Sequence, residues 1–501
     1  MAQPGSALAL GARCRRFESC LPDQFFVTRE CPGDIPDRKT HKRKRVRSKG
    51  ATAISADPSP APSPLDTRAI WVIALPAMVT NVATALIGLG DMWIVGRLGE
   101  ASAQGAVDVG ARLFAMLFVV MNFLKTGTTG LVAQAGTRSG AADQAAVLLR
   151  GAAIGIAIAG VLLLAKPVLM PALLDALGAR GEVLAAATTY AEIRYWTAPG
   201  VMLNLALVGY LVGRRKMTAV LLFEVGYNLL NVALGLWFVL GLDMGIAGVG
   251  WSSFAAEYAK LAVVAAFVLR GSEGATVIAA ARERTVLRWA SLKPFLSLNR
   301  DLFLRTVVLM IALAALTRLS AERGAVVLAA NGILYQMFVF TALLLDGFEN
   351  AAQVLNGERK GAEDRAGFAG YIRAILLRGF CAAALVAAGF ALLADPILAS
   401  FAATKAVAEA AQSQAIWLVL IPFAGVAGFV FDGVFVGASW IRALLLSMLG
   451  ASVVYVATLW FAWPHGNWGL WLAFTLFLVA RAAFQAAMLP RLVRRGFTQP
   501  G

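Results

Sequence analysis

Charge is what this chain has least of. Only 15% of its 501 residues are Asp, Glu, Lys or Arg, against about a quarter in an ordinary soluble domain. Histidine occurs twice, as His41 and His465, far apart in the chain, which argues against a metal centre. The four cysteines are Cys14, Cys20, Cys31 and Cys381; they form no CxxC pair and no disulfide framework. Strand-like alternation of apolar and polar residues is missing, which excludes a porin-type barrel. No apolar stretch of signal-peptide type precedes the first long hydrophobic run. No nucleophile with a base, metal-ligand set or paired acid and base stands out, so the chain is not expected to be an enzyme and no cofactor is expected.

What is abundant is apolar sequence. Hydrophobic residues make up 59% of the chain, and mean hydropathy is +0.71. Long apolar stretches recur from Ala69 to Met488. Each is long enough for a bilayer core of about 30 Å, which takes roughly 20 helical residues. Within lipid the backbone must satisfy its own hydrogen bonds, so the stretches are helices. The expected spans are 69–96, 104–135, 145–166, 184–212, 217–240, 245–270, 299–320, 325–353, 368–394, 409–438, 441–462 and 467–489. The expected fold class is an all-α polytopic membrane protein of about 12 transmembrane helices, in two pseudo-symmetric six-helix lobes around a central cleft.

The net charge is +16, which would ordinarily suggest nucleic acid. Here the positive residues gather in short connectors and one tail, which suits a bilayer protein better; no nucleic-acid partner is expected. The connectors with Arg138, Arg150, Arg214, Arg215, Lys216, Arg359, Lys360 and Arg442 lie on one side. Short, nearly neutral connectors such as Gly241-Leu242-Asp243 lie on the other. The positive-inside rule places the basic set, and with it both termini, in the cytoplasm. The expected location is a bacterial inner (plasma) membrane, with the chain a multi-pass monomer.

Residues 1–64 are polar, Pro-rich and basic, a disordered tail by composition. Arg16-Phe17-Glu18-Ser19 can be encoded by GGTTCGAATCC, the T-arm of a tRNA gene, so this segment reads as translation from a misassigned start. Peptides from residues 1–40 in the natural protein, sought by mass spectrometry, would refute that reading. The remaining division is an N-lobe at 65–270, a cytoplasmic linker at 271–298, a C-lobe at 299–490 and a cytoplasmic tail at 491–501.

The two halves repeat. Gly105-Ala106-Val107 returns as Gly324-Ala325-Val326, Ala133-Gln134 as Ala352-Gln353, and Gly209-Tyr-Leu-Val-Gly213 as Gly433-Val-Phe-Val-Gly437, at offsets of 219–224. Pro199 and Pro422 precede the glycine pairs at similar distances. Six spans is an even number, so the repeats run parallel, an arrangement of transporters that hold substrate between rocking halves.

Ionisable groups inside a bilayer are costly and mark function. Asp91 lies in the outer half of the first span, and Pro76 can kink the same helix. Glu224, Asn228, Asn231 and Gly235 fall on one helical stripe, where a carboxylate and two amides could bind a cation, or a proton and a hydrogen-bonded substrate. Glu257 sits mid-span beside Tyr258. Asp346, Glu349 and Gln353 repeat at helical spacing, and Asp432 follows Pro422. The bland alternative puts Asp346, Glu349 and Asp432 near water-accessible helix ends. Pro199 is a second hinge candidate.

In their order, Leu75-Pro76, Gly88-Leu89-Gly90-Asp91 and Gly96-Arg97-Leu98-Gly99 resemble the first helix of multidrug and toxic compound extrusion (MATE) transporters, most like the DinF branch. Thr128-Thr129-Gly130-Leu131, Ala256-Glu257-Tyr258, Leu345-Asp346-Gly347-Phe348 and Asp432-Gly433 extend the resemblance over 66–495. It implies antiport of small, often lipophilic or cationic compounds by alternating access, driven by H⁺ or Na⁺ entry; of the two, H⁺ is the expected coupling ion here. It implies a coupling role for Asp91. The branch tends to carry an aspartate where Gly235 stands, and the family a glutamate where Gln353 stands. The alternatives are a lipid-precursor flippase of the same superfamily and a membrane protein that has lost coupling.

Overall fold

A computed structural model describes residues 65–96, 101–283, 285–402 and 404–497; at 84–96, 101–104, 115 and 119 it describes the helix but not the side chains. The basic tail at 1–64, with its expected disorder and misassigned start, lies outside the described residues, and so does the side chain of Asp91.

The first half contains α1 (Arg68–Gly96), α2 (Ala101–Val120), α3 (Phe123–Arg138), α4 (Ala141–Ala176), α5 (Gly181–Arg194), α6 (Ala198–Gly213), α7 (Met217–Leu236) and α8 (Gly245–Arg270). A short α9 (Gly274–Arg282) leads to the second half. That half holds α10 (Trp289–Ala321), α11 (Ala325–Gly361), α12 (Arg365–Phe401), α13 (Lys405–Gln412), α14 (Ile416–Gly437), α15 (Ile441–Ala462) and α16 (Gly466–Gly496). Among the described residues, ten helical stretches are long and apolar enough to cross a membrane; one of them, Ile441–Gly496, is α15 and α16 joined by the turn Trp463–His465. The described apolar part of α1, Arg68–Ala83, stands beside them. Leu164, Val168, Leu385, Leu392, Trp460 and Phe461 point outward and are exposed, a surface that only lipid covers without penalty.

Several expected boundaries move. The spans at 104–135 and 184–212 are each broken. The first is interrupted at Met121-Asn122, where Leu124 N–H bonds Met121 O in a three-residue turn. The second breaks at the 3₁₀ turn Tyr195–Thr197, because Pro199 has no N–H to continue the ladder. Helix α10 begins at Trp289 rather than 299, and α14 at Ile416 rather than 409, with 405–412 forming the separate α13. Hydropathy marks the apolar stretch, while the helix runs on through charged residues such as Arg359 and Lys360 until a turn ends it. Pro76 lies within α1, where Thr80 Oγ1 donates to the Pro76 carbonyl at 2.8 Å.

The sequence repeat reappears as repeated packing: α3 lies on α6 and α4 as α11 lies on α14 and α12, and α7 pairs with α8 as α15 pairs with α16. At the end carrying the basic connectors, one apolar core joins both halves, from Ile70 and Ile73 through Val132 and Val212 to Phe348, Val434 and Ile441. Toward the opposite end the cores separate. Phe114, Tyr190 and Tyr195 belong to the first half alone, and Trp417, Trp471 and Phe474 to the second.

Polar bonds tie the halves where they share a core. Gln134 Nε2 donates to Gly437 O at 2.6 Å and Ser439 Oγ at 2.7 Å, and its repeat counterpart Gln353 donates to Thr126 O at 2.5 Å. Arg215, in the connector before α7, pairs with Glu358 at the end of α11, Nε to Oε1 at 2.6 Å. Burial works against the Arg215 charge, yet the Glu358 carboxylate holds its pKa above the usual guanidinium value.

Candidate functional site

Two cavities adjoin between the halves, of about 400 and 470 Å³, and both are lined by Asn81, Asn122, Lys125, Val339, Leu343 and Asn350. The helix break at Met121-Asn122 therefore lies at the cavity, where irregular backbone is tolerated in a membrane. The larger opens on α7 and α8 and holds Glu224 and Lys260. The other opens on α10, α11, α14 and α16, and holds Arg305, Asp346, Glu349, Asp432 and Arg481.

On the first side, Lys260 Nζ bonds both carboxylate oxygens of Glu224, at 2.7 and 2.8 Å, and lies 4.8 Å from the Tyr227 ring centre. Glu224 is thus not an open anion but half of an ion pair. Asn228 and Asn231 are buried on the same helix stripe as Gly235, and Asn228 Nδ2 has no hydrogen-bond partner among the described residues. Glu257 lies behind the cavity wall, where Asn204 Nδ2 donates to its Oε1 at 2.7 Å; Asn204 itself faces the cavity. Pro199 stands in the first turn of α6, directly after the 3₁₀ turn.

On the second side, Asp432 is 1% exposed. The expected alternative of a water-accessible helix end fails for it, because α11 and α16 continue past it and bury it. Its carboxylate is held by Arg305, by Arg481 Nη2 at 2.8 Å and by Gln485 Nε2 at 2.5 Å. Asp346 accepts from Asn81 Nδ2 at 2.7 Å and Asn350 Nδ2 at 2.9 Å, so one carboxylate links α1 to α11. Glu349 faces the same cavity one turn later.

The structure therefore brings Asp346 and Asp432 to one cavity and Glu224 to its neighbour, and leaves Glu257 one residue removed. Sequence reasoning missed the four cations Lys125, Lys260, Arg305 and Arg481, although each lies inside an expected span and intramembrane cost does not depend on the sign of the charge. Among the described residues lining the two cavities, four acids (Glu224, Asp346, Glu349 and Asp432) face these four cations. Lys125 forms no ion pair with a described residue.

Comparison with known proteins agrees with this architecture. The MatE family profile matches residues 76–237 and 302–461. The chain is 32% identical over 434 residues to DNA damage-inducible protein F of Escherichia coli strain K12, covering 86% of this chain and 93% of that protein. It is 25% identical to Protein DETOXIFICATION 44, chloroplastic, of Arabidopsis thaliana, covering 82% and 80%. The fold matches the crystal structure of MATE in the bent conformation with a TM-score of 0.77 at 18% identity, covering 86% of this chain and 98% of that one. With two matched halves that span most of its length, the chain belongs to the MatE family and is a multi-pass membrane transporter rather than an enzyme.

Proposed function

We propose that the protein is a secondary antiporter that exports small lipophilic or cationic compounds, coupled to the entry of H⁺ or Na⁺, with H⁺ preferred. The observation that carries this reading is the pair of adjoining charged cavities between two repeated halves. The halves share a core at one end and have separate cores at the other. Such a cleft can alternate access by rocking about the shared end. The basic connectors put that closed end in the cytoplasm of a bacterial inner membrane, with both termini on the same side. The arrangement described is then the outward-open one, closed inside by Arg215–Glu358, Gln134 and Gln353. The protein acts as a monomer, since each chain carries its own cleft.

Coupling needs groups whose ion or substrate affinity differs between the two states. Asp91 is proposed as one, with Pro76 as the point where α1 bends, and Asp346 and Glu224 as cavity residues that meet substrate. Asn228, Asn231 and Glu257 belong to the packing around that cavity, and Asp432 holds its second wall.

The full-length protein in proteoliposomes, with a fluorescent cation and an imposed pH gradient and then a sodium gradient, tests the reading. Efflux driven by either gradient supports it and names the ion. Folded protein inert under both would turn the reading toward a lipid-precursor flippase. Asp91→Asn is expected to abolish gradient-driven efflux while keeping a monodisperse, folded protein; wild-type efflux from that variant would remove Asp91 from the mechanism.

A further inference from the structure

We propose that Glu349 carries a coupling proton in the second half of the cleft. The proposal rests on the antiport reading and identifies where that half takes its ion.

Glu349 differs from the other cavity carboxylates in what already occupies them. Each other described carboxylate lining the cavities already has strong partners: Asp432 hydrogen bonds from Arg305 and Gln485 and an ion pair with Arg481, Asp346 two amides, Glu224 an ammonium. Protonating any of these breaks bonds that are expensive to lose away from water. Glu349 lines the cavity, and its side chain has no hydrogen bond or ion pair with a described residue. It alone among them can take or release a proton without giving up a donor.

Its neighbours leave no ligand shell for a metal cation, which a proton does not need. The charged groups facing it are Asp346 one turn earlier on α11, Lys125 from α3, Arg305 from α10 and Arg481 from α16, with Asp432 from α14 neutralised between the two arginines. A sodium ion would sit against three fixed positive groups and find its oxygens already engaged. A proton binds the carboxyl covalently and needs no ligand shell.

The position suits a switch. Glu349 is on α11 where its backbone carbonyl faces Gly433 of α14, at the close crossing of the two helices. Charged Glu349 attracts a cationic substrate into the cavity. Protonated Glu349 leaves the cavity one unit more positive, which expels that substrate and changes the electrostatics at the α11–α14 seam. Lys125 lines both cavities and is the neighbouring charge placed to follow the change from one to the other.

Tetraphenylphosphonium, a cation that does not itself titrate, is the probe. In detergent, proton release on its binding is followed with a pH dye. Glu349→Gln is expected to release one proton fewer per bound cation than the wild type and to bind with a shallower pH dependence, while Glu349→Asp restores both. In proteoliposomes, Glu349→Gln is expected to lose most efflux driven by a pH gradient. Wild-type proton release and efflux from Glu349→Gln would overturn the assignment and leave the antiporter standing. A wild-type protein that moves no tetraphenylphosphonium under either gradient would instead overturn the antiport reading and this inference with it. Should Glu349→Gln fail to fold, carbodiimide labelling of the wild type decides. Glu349 is expected to react at low pH and to be protected by the probe; its peptide recovered unlabelled would overturn the proposal.

Discussion

Asp432→Ala should cost about 3–5 kcal/mol of stability, the usual loss when one partner of a buried ion pair is removed. The carboxylate sits between Arg305, Arg481 and Gln485 at 1% exposure. Without it two guanidiniums face each other in a wall that no longer compensates either. Arg481 has little room to turn away: a Cβ on Gly428 would lie 3.2 Å from its Nε, so the helix surface there is already fitted around the side chain. A melting curve in detergent should show a fall of many degrees. Replacing all three charges together, with Asp432→Leu, Arg305→Met and Arg481→Met, should recover much of the loss, because a well-packed apolar wall does not bear the desolvation cost of ions. A single variant that melts with the wild type would show that Asp432 does not balance the two arginines. The comparison also separates wall from switch: Asp432 should act chiefly on stability and Glu349 on coupling, although both line one cavity.

How much of this was readable from the chain follows from what each residue senses. Spans were legible because a bilayer demands long apolar helices, and 441–462 matches α15 to the residue. The breaks at Met121-Asn122 and Tyr195–Thr197 were not, because an average over some 20 residues passes across a two-residue interruption. Pro199 was the one local signal for the second break, and it was read as a hinge. The acids were legible as isolated charges in apolar sequence. Their partners were not, because Lys260 meets Glu224 from the next helix, and Arg305 and Arg481 meet Asp432 from 127 residues before it and from α16 after it. Only packing brings such pairs together. Of the expected stripe Glu224, Asn228, Asn231 and Gly235, the last three are buried together while Glu224 reaches the cavity, a division that helical spacing alone does not give.

The repeated glycines make the strongest link between sequence and fold, and Gly433→Leu should prevent the protein from folding. A Cβ on Gly433 would lie 2.9 Å from Ala352 Cβ and 3.0 Å from Gln353 N of α11, and one on Gly437 would lie 3.0 Å from Gly357 N. In the first half, a Cβ on Gly209 would lie 2.6 Å from Lys125 O, and one on Gly213 would lie 2.8 Å from Thr129 O of α3. All four positions bring backbone against backbone, the close approach that small residues permit between membrane helices. Unlike a flexible side chain, the opposing backbone cannot turn aside. Gly433→Ala should therefore cost about 1–3 kcal/mol, the range for overpacking a tight site, and Gly433→Leu should yield no monodisperse protein on size exclusion. Gly209→Leu should fail in the same way, since the repeat makes it the counterpart of Gly433. Gly160, inside α4, has nothing within 4 Å of its missing Cβ. Gly160→Ala should leave melting unchanged or raise it, because alanine is the better helix former by roughly 0.5–1 kcal/mol. If Gly433→Leu folded and melted like Gly160→Ala, the repeat would not be a packing motif, and the α11–α14 seam could not transmit a change at Glu349.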